Sequence, residues 1–195
     1  MTNPVSLLTL AHQCVAAHLP VGAIAIDATT GNGHDSVFLA QRVGPTGLVY
    51  GFDLQATALE YTRQRLQQAK VSTTLQLIHA SHARMAEFIA PAHQGKVHAI
   101  MFNLGYLPGG DKTLITDTPS TLSALAQALP LLAPAGILTI LAYPGHAGGA
   151  QETAAVADWF AQLSATHFAT ELHLSQRHQE SAPRLFCIKK LAENC

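Results

Sequence analysis

Residues 23–40 read AIAIDATTGNGHDSVFLA. The first five alternate alanine with isoleucine and end on a carboxylate, Asp27. A loop holding Thr29, Gly31, Asn32 and Gly33 follows, and then a helix-like run that Asp35 and Ser36 open. This is the pattern of a buried strand, a glycine loop and a helix. Glycines let the backbone pass close beneath a ligand, and the start of a helix presents amide groups that have no partner within the helix. A dinucleotide site would read GxGxxG, its third glycine admitting tight helix packing around a pyrophosphate. Ser36 stands at that third place. An ordinary strand-to-helix turn, with glycines serving backbone geometry alone, is the other reading of these residues.

The neighbouring segments repeat the pattern. Short apolar runs bounded by turn residues alternate with stretches of helical spacing, as in a parallel sheet covered on both faces. The pattern predicts strands at 23–27, 48–53, 74–79, 97–103, 136–143, 167–174 and 184–190. It predicts helices at 5–17, 34–42, 56–70, 82–90, 119–132 and 151–163. Residues 175–183, SQRHQESAP, are polar and too short for a crossover helix, so the last two strands should pair as an antiparallel hairpin. The expected fold is α/β: a Rossmann-like class I methyltransferase with a seven-stranded, mostly parallel sheet and a C-terminal antiparallel hairpin. Residues 1–195 show no repeat, charge block or linker, and a single domain is expected.

In open α/β sheets ligands lie outside the carboxyl ends of the strands. Asp27 there suits a ligand carrying positive charge, such as the sulfonium and ammonium of S-adenosylmethionine. Asp53 closes the second strand in VYGFDL and can accept hydrogen bonds from both ribose hydroxyls, with Gln55 adding a polar contact. Asp53 could equally cap the helix starting near residue 56. Ser81 or His82, after the third strand, could hold an adenine edge, or could be a helix cap and a solvated histidine.

After the fourth strand comes NLGYLPGGDK, residues 103–112. Amino-methyltransferases of nucleobases carry an (N/D)PP(Y/F) loop here, which accepts hydrogen bonds from the target amine and stacks the base. Asn103 and Tyr106 keep its ends, while Leu104 and Gly105 replace its prolines. Pro108 and Gly109, with Gly110, could alternatively form a plain turn that Asp111 caps. A second glycine-rich loop follows the fifth strand, where Tyr143 and His146 could stack on or bond a substrate base. Arg177, His178 and Arg184 could grip phosphate or simply be solvated charges.

Composition narrows the class further. The chain has 195 residues, 48% of them hydrophobic, which is enough for a large core and argues against disorder. Only 12% are charged, so part of the surface is neutral or covered by a partner such as a second copy. A formal net charge of −1 with 11 histidines argues against a long nucleic-acid groove but not against a local phosphate-binding patch. Three scattered cysteines, Cys14, Cys187 and Cys195, read as free thiols of a reducing compartment. With no signal-peptide pattern and no membrane-length apolar run, a cytoplasmic location without a membrane partner is expected. No histidine or cysteine group has metal-ligand spacing, and no metal is expected.

Taken together, DATTGNGHD, FDLQ, IHASH, FNLGYLPGGDK and YPGHAGG resemble the YtqB/MnmM family, in order along residues 23–160. The resemblance implies an S-adenosylmethionine-dependent methyltransferase releasing S-adenosylhomocysteine, with cofactor contacts at Asn32, Asp35, Asp53, Gln55, Ser81 and His82. It also implies tRNA as partner through its anticodon region, and the 5-aminomethyl group of the wobble (2-thio)uridine as methyl acceptor. In that reading Asn103 orients the amine, Asp111 accepts or relays its proton and Tyr106 stacks the uracil, with Gly105, Pro108, Gly109, Tyr143 and His146 around the substrate. A methyltransferase for rRNA, a protein side chain or a small amine would use the same cofactor half. An NAD-dependent oxidoreductase is disfavoured by Ser36, and a non-catalytic RNA-binding module would bind RNA without methyl transfer.

Overall fold

The computed structural model describes residues 5–105, 116–175 and 181–192. In chain order the elements are α1 (Leu7–Ala16), β1 (Ile24–Asp27), α2 (His34–Val43), β2 (Leu48–Asp53), α3 (Ala56–Gln68), β3 (Thr74–His79), α4 (Met85–Phe88), β4 (Val97–Leu104), α5 (Thr118–Leu131), β5 (Leu132–Ala142), α6 (Gly149–Ala161), β6 (Phe168–Leu174) and β7 (Arg184–Lys190). The seven strands form one sheet in the order β3-β2-β1-β4-β5-β7-β6. β7 runs antiparallel to both β5 and β6, and the other pairings are parallel. The expected sheet and closing hairpin are thus present. No helix among the described residues is long and apolar enough to cross a membrane.

Each face of the sheet carries its own core. On one side Ile26, Phe52, Ile100, Phe102 and Phe186 pack with Met85, Leu125 and Val156 from α4, α5 and α6. On the other, Ala25, Val49, Met101, Leu141 and Cys187 pack with Val15, Leu39 and Leu66 from α1, α2 and α3. The central strand β4 is covered on both sides: Ile100 and Phe102 serve one core and Ala99 and Met101 the other. That alternation is why residues 99–102 of the strand read as a continuous apolar run. A phenylalanine as buried as Phe102, at 1% exposure, is worth about 3–5 kcal/mol against alanine.

Two elements depart from expectation. The helix expected over 82–90 is a single tight turn, His82–Arg84, followed by the four-residue α4. Arg84 leaves helical geometry at φ −114°, ψ 15°, and Ile89 is extended ahead of Pro91, which starts a further turn. β5 begins at Leu132, four residues before the expected start at 136. Leu132 pairs with Val97, and the chain then bulges through Ala135, at φ +61°, before Ile137 pairs with Ala99. Gly136 sits where a Cβ would lie 2.9 Å from the Ala133 carbonyl and 3.0 Å from that of Val97. Side-chain periodicity carries no sign of such a bulge.

Candidate functional site

The carboxyl ends of β1 to β5 surround a cavity of about 550 Å³, within the roughly 300–1,000 Å³ range of small-ligand sites. The loop after β1 forms its floor. Gly33 begins α2 in the left-handed conformation, φ +79°, and a Cβ there would stand 2.8 Å from the Thr62 backbone of α3. Glycine is therefore required for the loop to pass beneath α3. Gly33 supports the floor from outside the cavity, whereas Thr29, Gly31 and Asn32 line it.

Asp27 is also outside the cavity lining and fully buried beneath the loop, which corrects its expected place against the ligand. Its carboxylate accepts from the Thr29 amide at 3.3 Å and the Ser36 hydroxyl at 2.6 Å, binding loop to helix. Burial, then the neighbouring Asp35 charge, pushes its pKa up to about 7. The acid that does reach the cavity from this segment is Asp35, in the first turn of α2, where the helix dipole favours an anion.

Asp35 is the hub of the site. One oxygen pairs with His12 Nε2 at 2.6 Å, and the other accepts from the Asn103 side-chain amide. His12 lies on α1 and stacks on Phe38 with ring centroids 4.0 Å apart and an interplanar angle of 2°. Asn103 at the end of β4 also donates its backbone N–H to Thr29 Oγ1 at 2.7 Å. The two loops that were separate features in the sequence thus meet through Asp35, Asn103 and Thr29. Because the Asn103 NH₂ faces a carboxylate, its amide carbonyl is left as an acceptor on a residue that lines the cavity.

Asp53 ends β2 and lines the cavity beside Gln55. It accepts from the amides of Gly31 and Gln55, both at 2.8 Å, and from Thr30 Oγ1 at 3.4 Å. It therefore organises two loops while a carboxylate's four lone-pair positions leave capacity for a ligand hydroxyl. Gln55 starts α3 without a side-chain cap of its own.

Ser81 is an N-cap, accepting from the Ala83 amide at 3.2 Å, and does not line the cavity. His82 does, and it is 7% exposed, not solvated. Its Nδ1 lies 3.3 Å from the Ala28 carbonyl, while its Nε2 is buried without a hydrogen-bond partner. Burial lowers its pKa. A neutral ring that donates Nδ1–H to Ala28 leaves Nε2 as an unpaired acceptor buried behind the cavity wall.

On the opposite rim Gly105, Tyr143 and His146 line the cavity. Tyr143 is 39% exposed. His146 Nε2 lies 3.6 Å from where a Cβ on Gly105 would be, so the two loops touch. Tyr106, Pro108, Gly109, Gly110 and Asp111 fall outside the described residues, as do Arg177 and His178. The base of that segment is visible: the Thr116 amide donates to the Gly105 carbonyl at 3.0 Å. Thr116 Oγ1 donates at 2.8 Å to Glu152, whose other oxygen accepts from Thr121 Oγ1 at 2.6 Å. Glu152 is 2% exposed in the first turn of α6.

Sequence reasoning missed Leu8, His34, Ser120 and Ser181 on the cavity wall, and His12 and Glu152 behind it. A histidine and a glutamate on helices carry no local signal of what they will face. Nor did spacing reveal that Cys14, His173 and Cys187 come together.

The family described as "Putative rRNA methylase" matches residues 49–189. A chloroplastic tRNA (mnm(5)s(2)U34)-methyltransferase of Arabidopsis thaliana is 38% identical over 151 residues, 73% of this chain and 54% of the relative. This chain thus spans about half the length of that relative. A structure from Clostridium thermocellum, described as a "putative rRNA-methylase", superposes with a TM-score of 0.91 at 33% identity, covering 97% of this chain and all of that one. A Streptococcus mutans structure, described as a "putative methyltransferase" in complex with SAH, superposes with a TM-score of 0.84 at 33% identity over the same shares. With the sheet order, the acids at the strand ends and the matched span in agreement, the chain belongs to this rRNA methylase family within the class I S-adenosylmethionine-dependent methyltransferases.

Proposed function

We propose that the chain is an S-adenosylmethionine-dependent N-methyltransferase of RNA, and that its acceptor is the 5-aminomethyl group of the wobble (2-thio)uridine in tRNA. The observation that carries this reading is the Asn103–Asp35 bridge, which holds an amide carbonyl at the meeting point of the two loops. The acceptor groups also fit the cofactor. Asp53 offers a carboxylate to the ribose hydroxyls and Asp35 a negative charge to the ammonium, while the His82 ring lines the wall of the same cavity. The name of the Arabidopsis relative supports the choice of acceptor.

When bound, the cofactor would supply an electrophilic methyl to the amine nitrogen, its sulfur keeping the C–S bonding pair, and the one proton released overall would be the one the ammonium loses to become a free amine. An alkylamine has a pKa of about 10.4 and must give up one proton before its lone pair is available. The Asn103 carbonyl can hold an N–H of the amine and aim the lone pair, an orientation effect. His12 acts as a positioning residue: its bond to one Asp35 oxygen leaves the other oxygen for Asn103. Asp111, in the adjoining segment, is the residue we assign to accept or relay the released proton, with Tyr106 stacking on the uracil.

The test is methyl transfer by the full chain to tRNA carrying 5-aminomethyl-2-thiouridine, read by nucleoside mass spectrometry. One added methyl on that nucleoside is expected, and Asn103→Ala should lower kcat at saturating cofactor by roughly 100-fold. Methylation of ribosomal RNA instead would move the target, and full activity in Asn103→Ala would remove the role given to the loop.

A further inference from the structure

On the face of the sheet that α1 covers, three side chains from distant parts of the chain converge. Cys14 comes from α1, His173 from the edge strand β6 and Cys187 from β7, and their ligand atoms all lie within 4.8 Å of one another. Strand register explains the convergence. Glu171 is directly opposite Cys187 in the antiparallel β6–β7 pair, and His173, two residues on, shares its face. Leu185 and Cys187 belong to the core that packs with α1. Cys187 is 6% exposed, and His173 Nε2 is buried with no hydrogen-bond partner, the Glu171 carboxylate lying 3.3 Å away.

Two sulfurs and an imidazole form a soft donor set suited to zinc and not to magnesium or calcium. Tetrahedral zinc, with bonds of about 2.3 Å to sulfur and 2.0–2.1 Å to nitrogen, needs donors roughly 3.5–3.8 Å apart. The three groups would close by about an ångström, within reach of small side-chain rotations. Two thiolates balance the dication at the buried ligands, and the further charge of the Glu171 carboxylate stays in solvent, since that side chain is 69% exposed.

We propose that Cys14, His173 and Cys187 form a zinc site that fastens α1 to the β6–β7 hairpin, its fourth position facing the Glu171 carboxylate, which lies against His173 but outside the mutual 4.8 Å of the three ligands. The site is separate from the methyl-transfer cavity and does not depend on the reading of that cavity. α1 also carries Leu8 on the cavity wall and His12 against Asp35. Metal binding would therefore steady one side of the cavity without entering it.

The experiment is a cobalt titration of the full chain, stripped with chelator and kept reduced with a phosphine, followed by zinc competition. One equivalent of cobalt should produce a thiolate-to-cobalt charge-transfer band and tetrahedral d–d bands, which one equivalent of zinc erases. Cys14→Ser, at the half-buried ligand, and His173→Ala should each weaken binding at least 100-fold in chains whose circular dichroism is unchanged. Glu171→Gln should weaken it by about tenfold. No charge-transfer band in the reduced wild-type chain would overturn the proposal. So would a folded Cys14→Ser chain with the wild-type spectrum, or a Cys14–Cys187 disulfide whose reduction yields no metal affinity.

Discussion

Asp27→Asn removes a charge from beneath the cofactor loop while keeping the side chain's shape. The Asp27 carboxyl has a pKa raised from 3.8 to about 7, first by burial and second by the Asp35 charge. The folded chain therefore holds a proton that the unfolded chain releases above about pH 4. This stability contribution is complete below 3.8 and is lost as pH rises through 7, on the order of 4 kcal/mol in total. Asparagine does not titrate. It also keeps one acceptor where Asp27 serves both the Thr29 amide and the Ser36 hydroxyl, so the variant loses about 1 kcal/mol of hydrogen bonding. The variant should thus be the less stable chain near pH 4. Between pH 5 and pH 8 its stability relative to wild type should rise by on the order of 2–3 kcal/mol, because groups common to both chains cancel. Urea unfolding of both cofactor-free chains at half-unit pH steps measures this, provided the denaturant slope is unchanged. Parallel curves from pH 5 to pH 8 would show Asp27 ionised throughout and refute the reasoning.

Asp53→Asn should weaken S-adenosylmethionine binding at least tenfold by calorimetry, about 1.4 kcal/mol, with circular dichroism separating this from loss of the loop contacts to Gly31 and Gln55. Unchanged affinity would remove the ribose role. Gly33→Ala should destabilise the fold by roughly 2–4 kcal/mol, since its φ of +79° and the 2.8 Å approach to Thr62 both oppose a side chain; a melting temperature equal to wild type would contradict this. Glu152→Ala strips the hydroxyls of Thr116 and Thr121 of their acceptor. It should raise KM for RNA severalfold while leaving cofactor affinity within twofold, as steady-state kinetics and calorimetry would show.

The parallel sheet was legible because its inner strands are buried on both faces and appear as short apolar runs, those of β1 and β2 closed by Asp27 and Asp53, while β3, at the sheet edge and partly exposed, shows as an alternating stretch ending at His79. Strands β2, β3 and β7 fall at the residues the pattern predicts. The cavity's acids were legible for a related reason: a carboxylate at the end of such a run has few structural uses. What stayed hidden depends on contacts between distant residues. Whether Asp27 or Asp35 faces the cavity follows from the turn at Gly33, and eight residues of sequence do not encode which carboxylate ends up beneath the loop. His12 meets Asp35 from 23 positions away, and Cys14 meets Cys187 only because α1 covers the antiparallel strand. The bulge at Ala135 and the broken helix after Ser81 are local, yet each turns on one backbone angle that side-chain periodicity does not report.

The Gly105–Thr116 closure has an evolutionary consequence. Gly105 and Thr116 are joined by a backbone hydrogen bond, and Thr116 is braced by Glu152 from a helix that takes no part in the floor of the cavity. Changing the length of a segment pinned in this way costs little chain entropy, about 0.6 kcal/mol per doubling. Asp35, Asp53 and His82 lie on other elements of the fold. Under the proposed function, target choice and methyl-donor recognition would then rest on separate parts of the chain and could drift at different rates.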